Sequence, residues 1–278
     1  MHMSEVILWS GAGQIGMAIA RRIGYGKKIF VSDKNYANAK QAAEIMNNAG
    51  FDVTPLTMDL GSRKSILEFI AAAKQAGEII HLINAAGVSP SQASIETILQ
   101  VDLYGTAALL EEVGRVIKPD GSGITISSQS SHRMPSLSAE DDELLATTNP
   151  EKLLELDILQ PKNIRDTLHA YQLAKRCNEK RVMYEAVRWG EKGARINSIS
   201  PGIIVTPLAI DEFNGIRGDF YKNMFAKSPC RRPGTADEVA ALAELVMGPQ
   251  GAFITGSDFL IDGGATASYF YGPLRPNA

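Results

Sequence analysis

Two cysteines in 278 residues leave little for cysteine chemistry to build. Cys177 and Cys230 stand far apart and outside any C-x-x-C, so neither a disulfide framework nor a zinc site is encoded, and both read as reduced thiols of a cytoplasmic protein. The four histidines, His2, His81, His132 and His169, lack metal-ligand spacing, and no metal is expected. No apolar run approaches the ~18 residues of a membrane helix. The chain reaches Glu5 with no basic opening before an apolar stretch, which argues against secretion. The initial Met-His-Met reads as a cloning remnant. Basic runs are also missing: 28 Lys and Arg are dispersed among 31 Asp and Glu, for a net charge of −3. Nucleic acid and anionic membrane are thereby set aside as main partners.

What is present is a rhythm of short apolar runs and amphipathic stretches, in a chain with 45% hydrophobic residues. Strands are predicted at 5–10 (EVILWS), 28–33, 52–59, 79–87, 123–128, 194–200 and 258–262. Helices are predicted after the first strand and at 35–49, 62–76, 94–117, 169–191 and 235–247, the last opened by the capping-box pattern Thr235-x-x-Glu238. Repeated strand–helix–strand units require right-handed crossovers and a parallel sheet with helices on both faces. The fold class is therefore α/β, a single doubly wound Rossmann-like domain of about seven strands spanning 1–278, with no linker or repeat to divide it. Two segments break the rhythm, the acidic stretch 129–168 and the aromatic stretch 203–234 with Phe213, Phe220, Tyr221, Met224 and Phe225. Both follow strands at their carboxyl ends, where such sheets bind ligands.

The first strand runs into Ser10-Gly11-Ala12-Gly13-Gln14-Ile15-Gly16, a G-x-G-x-x-G loop that opens a helix. Gly11 would permit the tight turn, Gly13 the approach of a pyrophosphate, and Gly16 close helix–strand packing, while the helix N-terminus holds the anion. Asp33 ends the second strand about 20 residues on, where a carboxylate accepts from ribose hydroxyls and repels a 2′-phosphate. NAD is the expected cofactor; Lys34 alongside keeps NADP as the second candidate.

Tyr171 and Lys175 in YQLAK stand four apart and so on one helix face, and Ser128 closes the strand GITISS. Together with NAAG (84–87), NSISPGIIVTP (197–207) and ITGSDFLIDGG (254–264), these strongly resemble the short-chain dehydrogenase/reductase superfamily over nearly the whole chain. Within it the chain is similar to bacterial hydroxysteroid dehydrogenase and carbonyl reductase types with an insertion before the tyrosine. The resemblance implies that Tyr171 is the general acid/base, Lys175 favours its phenolate and binds the nicotinamide ribose, and Ser128 orients the reacting oxygen. It further implies that Asn84 braces the fourth strand beside the cofactor and that Ala85 and Gly87 leave room for it. Asp59 with Leu60 caps the adenine edge, unless Asp59 is a turn carboxylate. Pro201 and Gly202 bend the chain over the nicotinamide, and Ile204 and Thr206 bond its carboxamide.

Two departures stand out. The glycine loop is one residue shorter than the family's T-G-x-x-x-G-x-G, and Asp102 in VDLYGT occupies the place of an asparagine in the proton relay. The long insertion reads as a substrate lid, an oligomer contact or a solvated helix. A homo-oligomer, a tetramer or otherwise a dimer, is expected through 94–117 and 169–191. The tail 265–278, without helical period, either crosses to a neighbour or frays. The expected function is NAD(P)-dependent interconversion of a secondary alcohol and a ketone or aldehyde, on a bulky apolar, steroid-like or cyclic small molecule. A catalytically weak NAD(P)-binding sensor is the alternative from another class. Enoyl reduction is disfavoured because enoyl reductases typically space their tyrosine and lysine seven apart.

Overall fold

Glu5–Ser10 forms β1 in the interior of the sheet, and all but its first residue are buried. A strand covered by helices on both faces has no water-facing side, so it reads as one apolar run instead of an alternation. The computed structural model describes residues 4–215 and 218–276, so the initial Met-His-Met, with His2, lies outside the described residues, as do the last two residues of the tail.

From β1 the chain passes through α1 (Gln14–Ile23), β2 (Lys28–Asp33), α2 (Tyr36–Asn47), β3 (Asp52–Thr57), α3 (Arg63–Lys74) and β4 (Glu78–Asn84). It continues through α4 (Ile95–Ile98), a π-helical stretch Leu99–Gly105, α5 (Thr106–Gly114), β5 (Ser122–Ile126), α6 (Gln129–His132), α7 (Ala139–Thr147) and α8 (Pro150–Leu153). Last come α9 (Thr167–Gly190), β6 (Arg195–Pro201), α10 (Pro207–Asn214), α11 (Gly218–Lys227), α12 (Ala236–Met247), β7 (Asp258–Ile261) and α13 (Ala265–Tyr271).

The seven strands are parallel in the order β3-β2-β1-β4-β5-β6-β7, as the doubly wound reading requires. Trp9 of β1 lies opposite Val31 of β2 on one side and Ile83 of β4 on the other. The strand order reverses there, so the loops leaving β1 and β4 diverge and open a crevice at their carboxyl ends. Alternate residues of β1 serve opposite cores: Val6 and Leu8 join Phe69, Leu109 and Trp189, whereas Ile7 and Trp9 join Met17, Met46 and Val239. The Thr235–Glu238 capping box forms as expected.

Two expectations are corrected, that of an uninterrupted helix over 94–117 and that of an unstructured tail, and the helices read into 203–234 are defined. The helix predicted over 94–117 carries the π-helical stretch between α4 and α5, a local widening that no proline in the sequence announces. The aromatic stretch falls on two helices, with Phe213 of α10 edge-on to Tyr221 and Phe225 of α11 at 5.3 and 5.5 Å. The tail carries α13, which a sequence without helical period does not announce. Tertiary capping forms it: Asp262 accepts from the Gly264 and Thr266 N–H groups at 2.9 and 2.7 Å, and Ser268 donates to the Lys227 carbonyl at 2.7 Å.

The insertion is a cover built within the chain. Leu145, Leu153, Leu159 and Ile164 pack with Leu103 of the π-helical stretch and with Leu173 and Cys177 of α9. Asp142 accepts two bonds from Arg176, at 2.9 and 2.6 Å, and pairs with Lys180 at 3.1 Å. Every residue of α5 is buried in the single chain. The helices expected at a subunit contact are thus partly covered from inside, while Met183 and Val187 on α9 remain exposed.

Candidate active site

The glycine loop follows from what it touches. Gly11 has φ +85°, and a Cβ there would lie 2.5 Å from the Ala86 backbone; a Cβ on Gly16 would enter the Trp9 indole. Both glycines are thus demanded by close packing, with the Trp9 indole N–H donating to the Gly11 carbonyl at 2.6 Å. Gly13 differs: as the N-cap of α1 it has no atom within 4 Å of where a Cβ would be, so the helix N-terminus faces open space. Gln14 is exposed beside it and Ile15 half-buried. Ser10 Oγ and Asn84 Oδ1 are buried next to this cleft without a hydrogen-bond partner. Open space before a helix N-terminus, flanked by unsatisfied polar atoms, fits a dinucleotide phosphate.

Asp33 accepts from the Ala12 and Asn35 N–H groups at 3.3 and 2.9 Å and from the Asn38 amide at 3.2 Å, so its carboxylate is pinned at the rim of the loop. Lys34 is paired with Asp59 at 2.8 Å, and Asp59 also accepts the Gly61 N–H at 3.0 Å, the turn geometry left open in the sequence. Leu60 is buried beneath it. Asn84 donates to Thr125 and Thr106, at 3.1 and 3.4 Å, and ties β4 to β5 and α5. Ala85 donates to the Ser10 carbonyl at 2.9 Å, which joins the two strand ends.

The chemistry-bearing residues converge beyond β4 and β5. Tyr171 and Lys175 occupy the first turns of α9, and the Lys175 Nζ lies 5.3 Å from the Tyr171 ring centroid. The ammonium donates to the Ile126 carbonyl at 3.3 Å and stands 3.7 Å from Asp102 Oδ2. Burial alone would depress the lysine, but the Asp102 carboxylate and the Tyr171 phenol outweigh it and hold Lys175 above the usual lysine range. Gly87 passes close by, where a Cβ would lie 3.2 Å from Asp102 and 3.4 Å from Lys175. Ser128 caps α6 by accepting the Ser130 N–H at 3.1 Å, which leaves its hydroxyl proton free to be donated. The neighbouring Ser127 donates to the Lys175 carbonyl at 3.0 Å and locks this strand end to α9.

Pro201 ends β6, and Gly202 turns against Asp262, where a Cβ would lie 2.7 Å from Cα. Gly234 bonds to Ile203 and Val205 on either side of Ile204, so the N–H and C=O of Ile204 point to the other side of the chain. Thr206 Oγ1 accepts the Ala209 N–H at 3.2 Å at the start of α10. A cavity of about 200 Å³ opens past these residues, lined by Gln129, Ile203, Ile204, Met224, Phe225 and Cys230 among others. Gln129 was not anticipated: it is 6% exposed, and its Oε1 has no hydrogen-bond partner. Its one signal in the sequence is its place directly after Ser128.

A second polar cluster also escaped sequence spacing. His132 donates to or accepts from Asp258 at 2.8 Å and lies 3.6 Å from Glu179, while Ser131, Ser198 and Ser200 donate to these carboxylates. The Asp258 hydrogen bond, against burial, raises the His132 pKa. A histidine with a raised folded pKa contributes stability that is complete below its unfolded value of about 6.5 and is lost as pH rises through the folded value. The melting temperature of the native chain is therefore expected to fall as pH rises from 6.5 toward 8, with a flatter curve for His132→Gln. Parallel curves in a thermal-shift series would refute the link.

A family model described as enoyl-(acyl carrier protein) reductase matches residues 11–140 and 142–266. The chain is 37% identical over 272 residues to the short-chain dehydrogenase/reductase bsc3 of Alternaria brassicicola, covering 96% of this chain and 97% of that one. The chain belongs to the short-chain dehydrogenase/reductase family. Short-chain dehydrogenase/reductases are oxidoreductases, and solved members share this architecture. A short-chain dehydrogenase from Burkholderia cenocepacia J2315 in complex with NADP superimposes with TM-score 0.73 at 20% identity, over 95% of this chain and 99% of that one. A 7α-hydroxysteroid dehydrogenase complexed with NADH and 7-oxo glycochenodeoxycholic acid gives TM-score 0.74 at 19% identity, over 95% of each chain. At such identities the likeness concerns the fold alone. Among the described residues, no helix is long and apolar enough to cross a membrane.

Proposed function

We propose that this short-chain dehydrogenase/reductase interconverts a secondary alcohol and a ketone or aldehyde with a nicotinamide cofactor. The observation that carries the reading is the buried Lys175 ammonium 5.3 Å from the Tyr171 ring, at the carboxyl end of the sheet beside the glycine loop. When bound, the cofactor supplies or accepts the hydride. Gly11, Gly13, Gln14, Ile15 and Gly16 would cradle its phosphates, Asp33 its ribose, Asn84, Ala85 and Gly87 its flank, and Ile204 and Thr206 its carboxamide. Tyr171 passes the proton to or from the substrate oxygen, Lys175 favours the phenolate, and Ser128 donates to the same oxygen.

The substrate is read as a bulky, largely apolar carbonyl compound or alcohol, because Ile203, Ile204, Met224 and Phe225 line the cavity. NAD is the preferred cofactor in this reading, since the Asp33 carboxylate stands where a 2′-phosphate would be repelled and Lys34 is engaged by Asp59. Asp33→Ser is expected to shift the ratio of NADPH to NADH affinity by about tenfold toward NADPH, measured by cofactor fluorescence titration. An unchanged ratio would remove Asp33 from cofactor selection. A homo-oligomer, tetrameric or otherwise dimeric, follows from the resemblance only, and a cytoplasmic site from the sparse cysteines alone.

The activity is tested by following nicotinamide absorbance with a panel of secondary alcohols, ketones and enoyl thioesters. Turnover of the alcohol–ketone pairs supports the reading. Reduction of enoyl thioesters alone would overturn it, and cofactor binding without turnover of any member would favour the sensor.

A further inference from the structure

Asp102 stands on the π-helical stretch with its side chain wholly buried. Oδ1 accepts the Val88 N–H at 2.8 Å, whereas Oδ2 makes no hydrogen bond and faces the Lys175 ammonium at 3.7 Å. Several elements meet around this pair. From α9 come Lys175 and Tyr171, from the end of β5 the Ile126 carbonyl, and from the loop after β4 the Val88 N–H and the side-chain-free Gly87. Burial pushes the Asp102 carboxyl above the usual carboxylate range while the Lys175 ammonium and the Val88 N–H draw it back down, and Asp102 and Tyr171 in turn keep Lys175 charged against its own burial. The tyrosine thus works beside a buried charge pair, where a neutral amide at position 102 would leave it beside a lone cation.

We propose that Asp102 is a positioning residue that acts through Lys175: its buried carboxylate tethers the ammonium and offsets part of the charge that Tyr171 would otherwise feel. A cation stabilises a phenolate and an anion opposes it. Two opposite charges this close present a dipole whose field weakens with distance faster than that of a single charge. The phenol of this chain is accordingly activated less than it would be beside Lys175 alone. The inference rests on the acid/base reading of Tyr171, but its test does not require a known substrate.

The measurement is the ultraviolet titration of tyrosinate, with the Tyr171 signal isolated by subtracting Tyr171→Phe. Asp102→Asn keeps an acceptor for Val88 and removes the charge. Subtracting the corresponding double variant should place its Tyr171 midpoint about one unit lower than in the native chain, and Asp102→Ser should move it the same way. An unchanged or raised midpoint in these variants refutes the offset. If Tyr171→Phe turns substrate over as fast as the native chain, the acid/base reading fails instead, and the titration still decides the electrostatic question.

Discussion

Tyr171→Phe is expected to lower kcat about 10³-fold on any substrate the chain turns over, while cofactor affinity and melting temperature stay near native values. The size follows from general acid–base catalysis: without the phenolic proton the developing alkoxide must draw its proton from water. The selectivity follows from the structure. The Tyr171 hydroxyl holds no hydrogen bond among the described residues, and its ring is half-buried against the apolar cluster that includes Leu103, Met134 and Leu173, so phenylalanine keeps the packing. A variant that keeps more than a tenth of native kcat would remove Tyr171 as the proton donor. Equal loss of cofactor affinity and of kcat would point to a binding role in its place.

The second large effect separates two glycines of one loop. Gly11→Ala meets both a left-handed backbone at φ +85° and the main chain of Ala86 at 2.5 Å, and neither a rotamer nor a flexible neighbour can relieve it. A loss of about 3 kcal/mol in urea unfolding is expected, with cofactor binding falling as the loop distorts. Gly13→Ala has no neighbour within 4 Å and should leave stability within about 1 kcal/mol of native. Its methyl group would occupy the space in front of the α1 N-terminus, so NADH affinity should drop about tenfold or more when read by fluorescence titration. If Gly13→Ala binds NADH as the native chain does, that space is not where the pyrophosphate sits. Equal destabilisation by the two variants would contradict the packing described here.

Much of the site lay in local patterns. A glycine spacing after a buried strand, an acid at the next strand end, and Tyr171 and Lys175 one helical turn apart each follow from short-range geometry, and the structure keeps their order along the sheet. Asp102 was legible as a departure in a motif, but not as a partner of Lys175. That pairing joins residues far apart in the chain through a π-helical stretch, and the stretch carries no proline that would announce the change of hydrogen bonding. The His132, Glu179 and Asp258 cluster was invisible as well, since no spacing rule links α6, α9 and β7.

The sequence by itself determined the parallel doubly wound sheet, a glycine loop between the first strand and its helix, and the placing of Tyr171 and Lys175 on one helix face, because apolar strand runs, helix period and glycine chemistry act over a few residues. Only the tertiary structure decided that the acidic insertion folds back onto α9, that the tail becomes helical under Asp262, and that the buried Asp102 carboxylate sits against the Lys175 ammonium. These are contacts between distant segments, where burial and close approach set the strength of each charge and hydrogen bond, and neither exists until the chain has folded.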